Sequence, residues 1–195
     1  MLVHKQWTRR HFVGQSAAAA ASLALPGAIG SIGATVPSSM RGRFLTHVSI
    51  VRVNQIEVTP NHSIGEDESG DNTPDHIRSR REAFARGCPN GRMTWGISWL
   101  ALTDTRKEFQ EARRLLASYH DRYGDEITFI PGGYFAPMYD TREHIQQTIH
   151  KALGMISNMV GGGYRPECIV AGFMDSENQR LLATEEGIHV CQGQI

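Results

Sequence analysis

Residues 105–131, with the sequence TRKEFQEARRLLASYHDRYGDEITFIP, contain one complete transition from a helix to a strand. The spacing of the apolar side chains in the first part predicts an amphipathic helix over residues 105–123. The apolar face of this helix consists of Phe109, Ala112, Leu116, Tyr119 and Tyr123. Gly124 supplies a residue that readily adopts the left-handed conformation at a helix end. The apolar and β-branched run that follows predicts a strand over residues 126–131.

The same alternation is found before this stretch. Residues 44–58 are rich in Val and Ile and predict a first strand, mainly from Val48 onward. Residues 61–72 are acidic and predict a surface loop. Thr73 as the cap and Pro74 at the first helical position predict a helix that ends at Gly87. Residues 92–102 contain Trp, Ile and Leu and predict the second strand.

After the third strand the pattern continues with two more helices and two more strands. Asp140, with Glu143 three residues later, predicts the start of a helix that ends at residues 161–163. Residues 168–173 predict a fourth strand. Ser176, with Gln179 three residues later, predicts a short helix that ends at Gly187. Residues 188–195 predict a fifth strand.

Four strand–helix units and a fifth strand indicate parallel pairing with right-handed crossovers. We therefore expect the domain over residues 44–195 to be an α/β fold, an incomplete parallel β/α barrel. The fifth strand has no helix after it to cover it, and open strand edges are a liability. We expect this domain to be the N-terminal part of a longer barrel. The alternative is a complete, five-stranded, doubly wound sheet.

The N-terminus has the layout of an export signal. Arg9 and Arg10 begin a run that resembles the twin-arginine pattern, and an apolar, alanine-rich stretch follows over residues 17–25. Residues 1–34 therefore predict a twin-arginine signal peptide, with the export machinery as its partner and a periplasmic or extracellular destination. Residues 35–43 predict a polar linker. The alternative is an uncleaved amphipathic or disordered N-terminus.

The charge balance of the chain bears on its partners. Residues 1–34 carry three basic and no acidic residues, so their removal leaves 17 basic and 20 acidic residues. This slight acidity is unfavourable for nucleic acid or an anionic membrane, and we expect neither as a partner of the mature form. The three cysteines, Cys88, Cys168 and Cys191, are a poor disulfide framework. We expect Cys168 and Cys191 to be buried strand residues.

In parallel α/β folds, functional side chains lie at the carboxyl ends of the strands. Carboxylates there can act as acid, base or nucleophile on a glycosidic bond, while carboxamides bind sugar hydroxyls and aromatic rings stack on sugar faces. The predicted catalytic residues are Glu57, paired with Asp175 or Glu177. The predicted substrate-binding residues are Asn54, Trp95, Trp99, Tyr134, Asn178, His189 and Gln192.

Each of these residues also has a structural interpretation. Trp95 and Trp99 are compatible with a place in the core, and Glu57 with a solvent-facing strand position. His189 is compatible with a buried histidine whose polar atoms are satisfied. The two acidic residues after the fourth strand are compatible with a local cap and with a favourable position near a helix N-terminus.

Several segments resemble known families. Residues 163–173, GYRPECIVAGF, with Ser176, Glu177 and Asn178 after them, resemble the fourth strand–helix unit of the glycoside hydrolase/deacetylase superfamily. Residues 52–57, 94–99 and 124–134 resemble an uncharacterised bacterial family related to that superfamily, and this resemblance extends from about residue 44 to the end of the chain. The resemblance implies a seven-stranded β/α barrel that acts on carbohydrates.

The metal-binding pattern of polysaccharide deacetylases is missing from this sequence. The chain has neither a Thr-Phe-Asp-Asp strand nor an H-x-x-x-H pair, and its first strand offers Asn54 and Glu57 instead. The sequence thus contains no metal-ligand motif, and it leaves the cofactor open. Retaining glycosidases of the superfamily have a carboxylate after the fourth strand, a position that Asp175 or Glu177 could match.

These observations predict an exported carbohydrate-active enzyme of the glycoside hydrolase/deacetylase type, with a carbohydrate as its substrate or ligand. Two alternatives stay open at this point. One is a non-catalytic glycan-binding protein on the same fold, which the missing metal motif favours. The other is a fragment without activity of its own.

Overall fold

Three parallel strands form the central sheet in the computed structural model, which describes residues 46–134, 140–171 and 174–193. The predicted signal peptide and linker lie outside the described residues. The strands found there are β1 (Val48–Val51), β2 (Asn54–Thr59), β3 (His62–Asp67), β4 (Thr94–Ile97), β5 (Glu126–Phe129), β6 (Cys168–Val170) and β7 (Val190–Gln192). The α-helices are α1 (Pro74–Gly87), α2 (Trp99–Thr103), α3 (Lys107–Tyr123), α4 (Arg142–Val160) and α5 (Ser176–Leu181).

The central sheet has the order β1–β4–β5, with all neighbours parallel. A separate parallel pair, β6–β7, follows it. The fold is therefore mixed α/β, as the alternation of elements predicts, and the described residues form no closed barrel.

Two side chains of β5 hold β6 beside it. One Glu126 oxygen accepts hydrogen bonds from the backbone N–H groups of Glu167, at 2.7 Å, and Cys168, at 2.9 Å. The Thr128 hydroxyl donates to the carbonyl oxygen of Cys168. These side-chain hydrogen bonds connect β6 to β5 in place of a backbone ladder. β6 therefore lies next to β5 without being part of the three-stranded sheet.

The first predicted strand is correct in its start but wrong in its length. It ends at Val51, and Asn54–Thr59 pairs antiparallel with His62–Asp67, which the sequence predicted as loop. A hairpin with its turn at Pro60 and Asn61 joins the two. Most of β3 is exposed, and it ends in Glu66 and Asp67, so it lacks the apolar alternation by which a strand is recognised. The second predicted strand is also shorter, because residues 99–103 form α2.

The helix ends follow the sequence closely. Thr73 accepts a hydrogen bond from the backbone of His76, and Pro74 occupies the first helical position, as predicted. Gly124 ends α3 with a φ of 69°, and Gly187 ends the helical segment after α5 with a φ of 71°. Two predicted caps are wrong by one residue: Thr141 rather than Asp140 caps α4, and Asp175 rather than Ser176 caps α5. In each case the predicted and the observed cap are adjacent residues of types that favour this position, so the sequence pattern could not distinguish them.

The core lies between the central sheet and the helices. Trp95, Ile97, Ile127 and Phe129 are fully buried there against α3 and α4. Cys168 is buried as predicted, but Cys191 is exposed, because β7 pairs only with β6 in the described part of the chain. The neighbouring Val190 is 51% exposed for the same reason.

A buried ion pair lies at the amino ends of the strands. Arg81 Nε of α1 is 2.8 Å from Asp125 Oδ2, with the side chains 2% and 0% exposed. The Asp125 carboxylate also accepts hydrogen bonds of 3.0 Å from the backbone of Met93 and from Trp95 Nε1. This carboxylate therefore connects α1, β4 and the start of β5. Within the described residues, no helix is both long and apolar enough to cross a bilayer.

Candidate functional site

Glu57 is a buried carboxylate next to the carboxyl end of β4. It lies on β2 and is 4% exposed, so the interpretation of Glu57 as a solvent-facing strand residue is wrong. Residues 98–100, directly after β4, contact the carboxylate from one side. The turn between β1 and β2 contacts it from the other side. Glu57 thus lies at the edge of the sheet where the sequence predicted a site.

Four donors surround the two oxygen atoms of this carboxylate. Oε1 accepts hydrogen bonds from Ser98 Oγ at 2.7 Å, from the backbone of Val53 at 3.2 Å and from the backbone of Asn54 at 3.4 Å. Oε2 accepts one from the backbone of Leu100 at 2.8 Å. A buried carboxylate needs such partners, since an unpaired charge in the interior is costly. Oε1 is saturated, while Oε2 retains capacity for one further donor.

Glu57 forms part of the wall of a narrow cleft. The cleft has a volume of about 20 Å³, which is enough for one water molecule, and it is partly open to solvent. Trp99, the first residue of α2, lines the cleft and is half-buried. The other lining residues are Val58, Thr59, Pro60, Phe129, Pro131, Gly132, Asp140, Ile145 and Thr148. The cleft is therefore lined by Trp99, which also packs against the hydrophobic core, and by two acidic residues.

Asp140 is the second carboxylate of the cleft. One of its oxygens accepts a 2.8 Å hydrogen bond from the backbone of Thr141, and the other lies 2.6 Å from His144 Nδ1. Its side chain is 14% exposed. The sequence predicted Asp140 only as a helix cap, and the structure places it in the wall of the cleft.

The two other predicted catalytic carboxylates have different surroundings. Asp175 caps α5 by accepting from the backbone of Glu177 and Asn178, and it lies 3.3 Å from Arg142 Nε. Glu177 is 44% exposed and pairs with Arg180 at 2.6 Å. Its hydrogen bond to Arg180 lowers the pKa of the Glu177 carboxyl. The polar partners of Asp175 and Glu177 thus lie on α4 and α5, whereas those of Glu57 lie in the turn before β2 and directly after β4.

The predicted binding residues on the central sheet differ in accessibility. Trp95 is fully buried, donates to Asp125 and packs with its ring centroid 6.0 Å from that of Tyr119. It is therefore a core residue in this structure, as its structural interpretation proposed. Asn54 is half-buried, and its side-chain oxygen accepts a 3.2 Å hydrogen bond from the backbone of Ile56.

The remaining predicted binding residues are scattered. Asn178 is fully buried and donates to the carbonyl of Arg142 at 3.1 Å. His189 is exposed, so the interpretation as a buried histidine is wrong. Gln192 lies in a separate groove with Val48, Val170 and Val190. Tyr134 ends the 3₁₀ turn Pro131–Tyr134, and its side chain is outside the described part of the structure.

Ser98 belongs to the candidate site, although the sequence did not single it out as a catalytic or binding residue. It follows β4, caps α2 by accepting from the backbone of Ala101, and donates its hydroxyl to Glu57. A serine directly after an apolar strand is a typical helix cap, and this signal could have drawn attention to Ser98. Among the residues with described side chains, no group of three or more His, Cys, Asp or Glu is arranged to hold a metal ion.

Comparison with known proteins adds a family and a structural neighbour. Residues 37–195 match the family described as a domain of unknown function with a solved structure, DUF3863, and the chain belongs to this family. The chain is also similar to a crystal structure from Parabacteroides distasonis described as a "putative glycoside hydrolase/deacetylase", with 41% identity and a TM-score of 0.75. The comparison with curated proteins found no match.

The structural match is partial on the side of the neighbour. It covers 78% of this chain and 35% of that protein, so this chain spans about a third of the length of the neighbour. The predicted relation to the glycoside hydrolase/deacetylase superfamily agrees with the description of the neighbour.

Proposed function

We propose that this chain is part of an exported carbohydrate-active protein of the glycoside hydrolase/deacetylase type. The observation that carries the proposal is the position of Trp99 and the Glu57 carboxylate in one cleft at the carboxyl end of β4. The description of the structural neighbour supports the same type of activity. An indole face can stack on a sugar, and the carboxylates of Glu57 and Asp140 can accept hydrogen bonds from sugar hydroxyls.

In this proposal, β1, β4, β5, β6 and β7 are five successive strands of a seven-stranded β/α barrel. The parallel pairing within β1–β4–β5 and within β6–β7 supports this arrangement. The contacts of Glu126 and Thr128 with β6 support it further, since they keep β6 next to β5. The exposed Val190 on β7 is consistent with a strand edge that a further barrel strand would cover.

Glu57 is the predicted catalytic residue that lines the cleft, so catalysis is best tested on it. The full chain is incubated with a panel of glycosides and acetylated glycans, alongside Glu57→Gln and Glu177→Gln. We expect Glu57→Gln to lose turnover and Glu177→Gln to retain it, because Glu177 is engaged with Arg180. Turnover that survives Glu57→Gln would remove Glu57 from the mechanism.

A non-catalytic glycan-binding protein is the second candidate. The four hydrogen bonds to Glu57 favour it, because a carboxylate that is held in this way has little freedom to exchange a proton with a substrate. Calorimetric titration with the same glycans distinguishes the two functions. Affinity that depends on Trp99, without turnover, supports the binding protein, whereas turnover supports the enzyme. The absence of both affinity and turnover would contradict both functions.

Export is the third part of the proposal. The paired arginines Arg9 and Arg10 are the feature that supports it. Replacement of both residues with lysine preserves their charge, and we expect this variant to accumulate in the cytoplasm of the host while the unchanged chain is exported. Equal export of the two forms would contradict a twin-arginine route.

A further inference from the structure

The Glu57 carboxylate holds the two neighbours of Trp99. Its Oε1 accepts the hydroxyl proton of Ser98 at 2.7 Å, and its Oε2 accepts the backbone N–H of Leu100 at 2.8 Å. The residues directly before and after Trp99 in the chain are therefore both bound to one buried carboxylate. Trp99 itself lies between these two contacts and lines the cleft.

Other contacts prevent the Trp99 segment from shifting along the sheet. The backbone N–H of Ser98 donates to Val51 at 3.0 Å, which aligns the segment with β1. The Ser98 hydroxyl accepts from Ala101 at 3.2 Å, and Arg113 of α3 donates to the Ala101 carbonyl at 2.7 Å. Glu57 is the member of this network that comes from β2, so it transmits the position of the β2–β3 hairpin to Trp99.

We propose that Glu57 is a positioning residue, which fixes the indole of Trp99 as an aromatic platform for a sugar ring. This inference rests on the proposed function, because it assumes that the cleft binds carbohydrate. It holds for a glycan-binding protein as well as for an enzyme. An aromatic side chain binds best when its orientation is set before the ligand arrives, since less conformational entropy is then lost on binding.

Acrylamide quenching of Trp99 fluorescence tests the inference without a known ligand. In each background, the fluorescence of the chain with Trp99→Phe is subtracted from that of the chain with Trp99 intact. This subtraction cancels the signals of Trp7 and Trp95 and leaves the contribution of Trp99. Glu57→Gln retains the size of the side chain but replaces one acceptor oxygen with a donor group. Ser98→Ala removes the hydroxyl, Ser98→Thr restores it, and Glu177→Gln is the control at a partly exposed carboxylate.

We expect stronger quenching and a red shift of the Trp99 emission in Glu57→Gln and in Ser98→Ala. Ser98→Thr and Glu177→Gln should match the unchanged chain. Trp99 quenching that is unchanged in a folded Glu57→Gln variant would overturn the inference. If Glu57→Gln does not fold, Ser98→Ala decides in the same way, with folding checked by circular dichroism.

Glycan titration keeps the two proposals apart. Altered Trp99 quenching without affinity for any glycan would contradict the proposed function and leave the positioning contact intact. For a glycan that binds, we expect Ser98→Ala to raise the Kd and Ser98→Thr to restore it. If the glycan is also turned over, the loss should appear in KM rather than in kcat.

Discussion

The Ser98 hydroxyl donates a 2.7 Å hydrogen bond to the Glu57 carboxylate across 41 positions of the sequence. Both groups are buried, and the bond connects the β2–β3 hairpin to the start of α2. This contact links the fold to the candidate site, because the same carboxylate lines the cleft next to Trp99.

Removal of the Ser98 hydroxyl should destabilise the protein. Ser98→Ala leaves the carboxylate with one donor fewer and removes the cap of α2, so we expect a loss of about 1.5–3 kcal/mol, the range for a hydrogen bond to a charged group. Urea unfolding measures the change. Ser98→Thr retains the hydroxyl and is the matched control. Equal stability of the alanine and threonine variants would show that the hydroxyl does not stabilise the fold.

The Arg81–Asp125 pair should be more sensitive to substitution. Asp125→Asn leaves Arg81 buried without a countercharge, and we expect a loss of about 3–5 kcal/mol in the free energy of unfolding. Asp121→Asn, at an exposed position on α3, should change it by less than about 0.5 kcal/mol. Urea or thermal unfolding provides the comparison. Similar values for the two variants would contradict a structural role for the buried pair.

Thr128 should matter for the attachment of β6. Thr128→Val preserves the shape but removes the donor to Cys168, and we expect a loss of about 1–3 kcal/mol because a buried carbonyl is left unpaired. Thr103→Val is the control, since Thr103 is exposed on α2. Hydrogen exchange of residues 168–170 should become faster in Thr128→Val alone. Unchanged exchange would mean that β6 does not depend on this hydroxyl.

Tyr164 should make the stability sensitive to alkaline pH. Burial raises the pKa of its hydroxyl above the ordinary value of 10.0. The hydroxyl donates to the Ile127 carbonyl and accepts from the Ile127 N–H, each at 2.9 Å. The unfolded chain therefore loses this proton at lower pH than the folded chain, so the contribution is complete below about pH 10 and is lost as the pH rises above it.

The comparison of the unchanged chain with Tyr164→Phe tests this dependence. Unfolding free energies measured between pH 8 and pH 11.5 should decline less steeply in the variant, because it has no hydroxyl to ionise. At neutral pH the variant should be less stable by about 1–3 kcal/mol. Parallel declines in the two proteins would contradict the effect of Tyr164.

The sequence was sufficient for the elements that have strong local signals. The apolar spacing of α3, with Gly124 after it, placed that helix to within two residues at its start and correctly at its end. The β2–β3 hairpin could not be predicted, because β3 is mostly exposed and polar and is stabilised by pairing with β2 rather than by its own pattern. The position of β6 beside β5 involves the contacts of Glu126 and Thr128, which no local pattern indicates.

The candidate site was predicted in part. Glu57 and Trp99 line one cleft, as the rule of strand carboxyl ends suggests. Asp175 and Glu177 satisfy the same rule, but their nearest partners are the N-terminus of α5, Arg142 and Arg180. Residue type and order along the chain do not reveal which polar partners a carboxylate finds, and those partners determine its role.

Carbohydrate binding at the Trp99 cleft is the central claim, and calorimetric titration of the full chain with a glycan panel tests it most directly. We predict saturable binding of at least one glycan, a loss of that affinity in Trp99→Ala, and unchanged affinity in Glu177→Gln. Binding that is equally strong in Trp99→Ala, or no binding to any glycan of the panel, would contradict the claim.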